Sequence, residues 1–220
     1  MATDWPSRLA RAQDRVADGE QRLAGTADPG ARGRQLTRLG NASDAAGLCL
    51  LMLGRREEAG AWFARAAARW RESHALAPPR SWGRAIGAIK ARVLSDDRPG
   101  ARADAEWALA EGAAATESPI GRYAACLALL VLDRDEQAAR LARSLCGRED
   151  FPEPVAVALV AIATADLAGY ASAAAAVLES FEARDDHLED VPIADTVLVL
   201  QTLAAERGFA ADLDSPLLPD

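Results

Sequence analysis

Apolar residues recur along this chain at helical rather than alternating spacing. Ala59, Phe63, Ala66 and Trp70 step by four, three and four residues, which places them on one face of a helix. Trp82, Ile86, Ile89 and Val93 form a second such stripe. Alanine, the best helix former, is abundant, and clusters of β-branched residues at period two are missing. Breakers punctuate the stripes at Gly54-Arg55, Pro78-Pro79, Asp96 to Gly100, Ser118-Pro119, Pro152 to Pro154 and Asp190 to Pro192. Cutting there predicts about ten helices. The first runs near Trp5 to Leu23 and is followed by a loop around Gly25 to Gly33. Pairs are expected at 36–53 with 56–72, 81–95 with 99–114, 119–132 with 134–147, and 153–168 with 170–183. A last helix near 192–207 precedes a tail containing Pro216 and Pro219. Ser118 before Pro119 suits an N-cap followed by proline at the first helical position.

The pairs repeat. Small residues at the starts of the second helices, Ala59, Ala101, Ala138 and Ala173, lie 42, 37 and 35 residues apart. Periods of this size mark stacked helical hairpins, none of which buries its apolar stripe alone. Ala46-Gly47, Gly54, Ala59, Phe63 and Ala66 stand at the spacing of the L-G, G, A, F and A positions of the tetratricopeptide repeat, which residues 40–183 resemble. The motif's terminal proline is replaced by Arg71. Later copies match at fewer positions: Asp133, Ala138 and Leu145, then Gly169, Tyr170 and Ala173. The resemblance implies an all-α fold, a right-handed α-solenoid of about four helix-turn-helix hairpins with cap helices. One domain is expected over 1–220, with an N-terminal cap helix and loop at 1–39, hairpins at 40–183, and a C-terminal cap helix and tail at 184–220. Alanine and glycine would let paired helices approach closely, with Phe63 and Trp70 filling the grooves between pairs.

Composition narrows the chemistry. Of 220 residues, 50% are apolar and 26% charged, which fits a globular domain and excludes intrinsic disorder. The net charge of −8 is unevenly placed. Residues 1–111 hold 18 basic and 14 acidic side chains, whereas residues 112–220 hold 7 and 19. An acidic second half repels phosphate and anionic membranes, so neither nucleic acid nor a membrane is a favoured partner. Lys90 is the only lysine among many arginines, a bias that high genomic GC content or salt adaptation would each produce. Residues 1–21 mix charged and apolar side chains without the pattern of a secretory signal. The longest apolar run, Val155 to Ala165, is too short to span a bilayer. Cys49, Cys126 and Cys146 are widely spaced and read as buried thiols, so a cytoplasmic location is expected.

Catalytic and metal chemistry find little to work with. His74 and His187 are far apart, and no Gly-rich phosphate loop, G-x-S-x-G or usefully spaced Cys/His pair occurs. The acidic run around His187, Asp185 to Asp190, lacks the glycine and spacing of a calcium loop. No enzyme activity, metal or cofactor is therefore expected. Trp62, Arg65 and Arg69 share a helical face, which reads either as a cation–π edge for an acidic partner or as a solvated face. The better candidate follows from the resemblance. In tetratricopeptide-like stacks the first helix of each pair lines a concave, partner-gripping groove, and the family's groove positions fall here on Asp44, Leu48, Leu51, Ile86, Lys90, Tyr123 and Leu127. For the apolar members the competing reading is core between repeats. The expected function is a non-enzymatic scaffold or adaptor that binds a protein or peptide through this groove.

Two other functions stay open. Leu203 to Gly208, followed by Leu213-Asp214-Ser215-Pro216-Leu217-Leu218-Pro219, resembles the end of a helical immunity-protein family of bacterial polymorphic-toxin systems. That resemblance implies neutralisation of a basic toxin by the acidic second half. An RNA-binding solenoid would use Arg55, Arg56, Arg65, Arg69 and Arg84, and would show steep salt dependence.

Overall fold

The computed structural model describes residues 3–219, and every regular element among them is helical. They are α1 (Trp5–Ala24), α2 (Pro29–Met52), α3 (Arg56–His74), α4 (Gly83–Leu94), α5 (Arg98–Ala110), α6 (Pro119–Val131), α7 (Asp135–Arg143), α8 (Glu153–Thr164), α9 (Leu167–Glu182) and α10 (Asp195–Ala205). Single 3₁₀ turns occupy Ala113–Ala115 and Leu188–Asp190. No helix among the described residues is long and apolar enough to cross a membrane.

Local signals set the helix starts. Asp4, Asp28, Ser118 and Asp166 each accept a hydrogen bond from the backbone N–H three residues on, and proline stands first in the helix behind Asp28 and Ser118 and second in that behind Asp4. The largest departure from expectation is α2, which begins at Pro29 rather than near residue 36. Asp28 accepts from the Ala31 N–H at 2.6 Å, so the Asp-Pro pair starts a helix where Gly30 and Gly33 suggested a loop. Gly33 is used for close approach: a Cβ there would lie 3.1 Å from Cβ of Leu76. α5 ends at Ala110, short of the expected 114, because Gly112 turns left-handed with φ 89° and begins the 3₁₀ turn.

One turn geometry recurs four times. After α2, α4, α6 and α8 the chain passes through a single left-handed residue: Gly54, Asp96, Asp133 and Ala165. The next N–H in each case bonds back five residues, Arg55 to Leu50, Asp97 to Arg92, Arg134 to Leu129, and Asp166 to Ala161, at 2.9–3.1 Å. The left-handed residue's own N–H bonds back three, to Leu51, Val93, Leu130 and Ile162. This paired pattern is the Schellman motif, which satisfies the orphan carbonyls of a helix end and reverses the chain tightly.

Contacts divide the chain into two compact units. The first takes the residues up to Asp97, together with Asp185–Ile193 and the segment from Pro216. Here α1 packs on α2, α2 on α3 and α3 on α4. The stripe Ala59, Phe63, Ala66 and Trp70 is buried throughout. Trp70 lies between two glycines: a Cβ on Gly40 of α2 would be 2.6 Å from its Nε1, and one on Gly87 of α4 would be 2.8 Å from its Cδ2. Phe63 presses on Gly47 of α2 in the same way, at 2.7 Å. The second unit is Arg98–Arg184 with Ala194–Ser215. There α5 to α9 pack each on the next, and α10 packs on α8 and α9. α6 is apolar nearly all round and is buried from Tyr123 to Val131, so it forms the centre of this unit.

Candidate functional site

The residues selected by family analogy divide between the units. Asp44, Leu48 and Leu51 on α2, with Ile86 and Lys90 on α4, belong to the first, and Tyr123 and Leu127 on α6 belong to the second. Leu48, Leu51 and Leu127 are 7%, 6% and 0% exposed, which places them in the core, the competing reading for the apolar members. Ile86, Asp44 and Lys90 are half-buried, and Asp44, Lys90 and Tyr123 are already engaged by other groups of the chain. Tyr123 also packs on Phe151 with ring centroids 5.6 Å apart.

A different surface is open. In the second unit a cleft of about 600 Å³ lies over α6, between the end of α5 and α7. Leu109, Leu129 and Leu141 line it, with Ala114 and Ala115 of the 3₁₀ turn, and Arg122, Arg134 and Arg140 supply its cations. Its shape begins at the Gly112 turn and is held by Arg122. That guanidinium donates from Nε to the Thr116 carbonyl at 3.1 Å, from Nη1 to Ser144 Oγ at 3.1 Å, and from Nη2 to Glu117 at 2.7 Å. It thus ties the loop before α6 to the end of α7. Arg134 is exposed and enters no ion pair among the described residues. Arg140 meets only Glu136, at 3.8 Å and with both groups in solvent, an arrangement that contributes little.

The cleft is not on the side of α6 that the family analogy selects. Arg122 and Leu129 are seven residues apart and nearly eclipsed, whereas Tyr123 and Leu127 lie about 120° further round the helix. A sequence signal for it exists: five of the seven basic residues of the acidic half, Arg122, Arg134, Arg140, Arg143 and Arg148, fall within one short stretch.

Other candidate groups are turned inward. Arg65 stacks on Trp62 at 5.4 Å, the cation–π alternative of the two readings of this face. Its acidic partner is internal, because Glu20 of α1 accepts from both Arg65 (3.1 Å) and Arg69 (2.8 Å). Both guanidinium groups hold the Glu20 carboxyl below the usual range against the opposing effect of burial. Arg55 is paired with Glu58 at 2.6 Å, and Arg84 donates to Ser73 Oγ at 2.7 Å, so most of the arginines of the RNA reading are committed. The acidic run around His187 folds onto the first unit, where Arg15 bonds Glu189 at 2.5 Å and Asp190 at 3.4 Å. No group of three or more His, Cys, Asp or Glu among the described residues is placed to hold a metal ion.

The thiols differ in environment. Burial pushes Cys49 up to about 11 and Cys126 up to about 12, and raises Cys146, which is only half-buried. Iodoacetamide at about pH 8 is therefore expected to alkylate Cys146 first in the native protein and all three cysteines after denaturation. Equal native labelling of Cys126, read by peptide mass spectrometry, would contradict its burial on α6.

Fold and cleft together define an all-α protein of helical hairpins that carries an open, apolar-floored and arginine-rimmed surface cleft. No family model, curated protein or solved structure matches the chain.

Proposed function

We propose that this chain is a cytoplasmic, non-catalytic protein-binding module whose hairpins stack as a right-handed, tetratricopeptide-like solenoid. The recurrent Schellman turn at Gly54, Asp96, Asp133 and Ala165 supports the repeat reading, since each hairpin is then one copy of the same unit. The observation that carries the binding reading is the cleft of the second unit. Apolar floor and charged rim are the composition of a protein-contact patch, in which central apolar groups supply affinity and peripheral charges set orientation.

The test is affinity purification of the tagged chain from its native host, at low and high salt, beside two variants. One stoichiometric protein is expected with the wild type, weakened at least about tenfold by Leu141→Asp in the cleft floor. Absence of any stoichiometric protein at both salts would remove the reading. A partner kept by Leu141→Asp and lost by Lys90→Glu with Tyr123→Ala would move the contact to the groove named by the tetratricopeptide resemblance. The immunity reading is favoured by a separate observation, the 19 acidic against 7 basic residues of 112–220. It requires a basic toxin as that protein, and loss of protection when the acidic residues of 112–220 are reversed in charge.

A further inference from the structure

We infer that the cleft of the second unit takes an acidic segment of a protein partner that carries apolar side chains. This rests on the protein-binding reading and adds the chemistry of the partner. The half of the chain from residue 112 has only 7 basic residues against 19 acidic, yet three of the seven line this one cleft. Glu117 is the one carboxylate among the residues that line the cleft, and Glu136 approaches Arg140 from outside it at 3.8 Å. The cleft is thus a positive island on a negative stretch of chain, and the second unit recruits here a charge opposite to its average.

The arginines are placed for an incoming carboxylate. Arg122 is spent on bracing the wall, but Arg134 enters no ion pair among the described residues and Arg140 has only a long, exposed one. Gln137 and Leu141 on α7, with the flanking Arg134 at its N-terminal end and Ser144 at its C-terminal end, step by three, four and three along the cleft. A segment laid along that row meets a cation, an amide, an apolar floor and a hydroxyl in order, over about 15 Å. That length matches about five extended residues or about ten helical ones. The segment's carboxylates face Arg134 and Arg140, and its apolar side chains cover Leu109, Leu129 and Leu141.

Range and enclosure select a short protein segment over other anions. At physiological salt a charge is felt over about 8 Å, so each carboxylate of a short segment acts mainly on the arginine it sits beside. A polyanion such as RNA extends beyond the cleft and is repelled by the 19 acidic residues of the same half. A small amphiphile is retained by burying most of its surface, which an open cleft does not provide.

The experiment is selection from a random dodecapeptide display library on the whole chain, in parallel on Arg134→Glu with Arg140→Glu and on Leu141→Asp. Wild type is expected to enrich sequences combining Asp or Glu with Leu, Ile or Phe. The strongest of them, followed by fluorescence anisotropy, should weaken at least about tenfold on either variant and further as salt is raised. Thermal melting of the variants near the wild-type temperature excludes misfolding as the cause. Enrichment of neutral or basic sequences overturns the inference, as does no enrichment, or acidic sequences held equally by the arginine variant. Neutral sequences lost only on Leu141→Asp leave the protein-binding reading standing. A fluorescein-labelled RNA oligonucleotide bound in an Arg134- and Arg140-dependent way assigns the cleft to nucleic acid instead and overturns the inference.

Discussion

Replacing Trp70 with alanine is expected to destabilise the first unit by about 3–5 kcal/mol, the cost of removing a buried aromatic whose surroundings collapse only partly. Trp70 is 6% exposed and is wedged between Gly40 of α2 and Gly87 of α4, with its Nε1 donating to Asn41 Oδ1 at 3.2 Å. Three helices therefore meet on one indole. The converse change tests the same contact. Gly87→Val puts a side chain where a Cβ already lies 2.8 Å from the ring, and should cost about 1–3 kcal/mol by overpacking. Urea unfolding followed by tryptophan fluorescence and circular dichroism reads both. A Trp70→Ala loss below about 1 kcal/mol would mean that the indole packs less closely than described.

In the second unit the corresponding centre is Arg207. It is 11% exposed and donates to the Leu130 carbonyl at 2.9 Å, the Leu203 carbonyl at 3.0 Å and both carboxylate oxygens of Asp135. It thereby joins the end of α10 to the turn between α6 and α7. Arg207→Met leaves the Leu130 carbonyl with only the Asp133 N–H, at 3.2 Å, and removes every Arg207 bond to Leu203 and Asp135, an expected loss of about 2–3 kcal/mol. Lysine at this position should restore only part of it, because an ammonium lacks the planar fork that reaches several acceptors.

The loss should depend on pH with a defined sign. Burial raises the neighbouring Glu206 carboxyl above its ordinary value of 4.5, while Arg98, at 2.7 Å, and Arg207 pull it down. A raised folded value means that ionisation costs the native state, and the cost grows as pH rises above the unfolded value. Without Arg207 that cost increases. The Arg207→Met deficit is therefore expected to be larger near pH 7 than near pH 4, where the carboxyl is mostly protonated in both states. A deficit equal at both values would show that Arg207 acts through the carbonyls alone.

The helices themselves were legible because local rules decide them. Stripes such as Ala59-Phe63-Ala66-Trp70 mark the buried face, and Ser118-Pro119 marks a start. Gly, Asp and Pro together predict a loop around Gly25 to Gly33, but Asp28 and Pro29 are equally a cap and a first helical residue, and α2 starts there. The shared hairpin turn is not legible in the sequence because four different contexts and three residue types, Gly54, Asp96, Asp133 and Ala165, occupy its left-handed position.

What the order of residues determined by itself is the helical class, the approximate number and limits of the helices, and the asymmetry of charge, since periodicity, capping and net charge are properties of neighbours along the chain. What only tertiary structure decided is which faces meet. Gly40, Gly87 and Trp70 are 30 and 17 residues apart in sequence and become one contact when α2, α3 and α4 pack. Arg122 on α6 joins Arg134 and Arg140 because the Asp133 turn lays α7 against it, and the Glu20 carboxylate of α1 takes the arginines of α3. Such juxtapositions depend on helix rotation and on the depth of packing between elements, which no spacing within a single helix encodes.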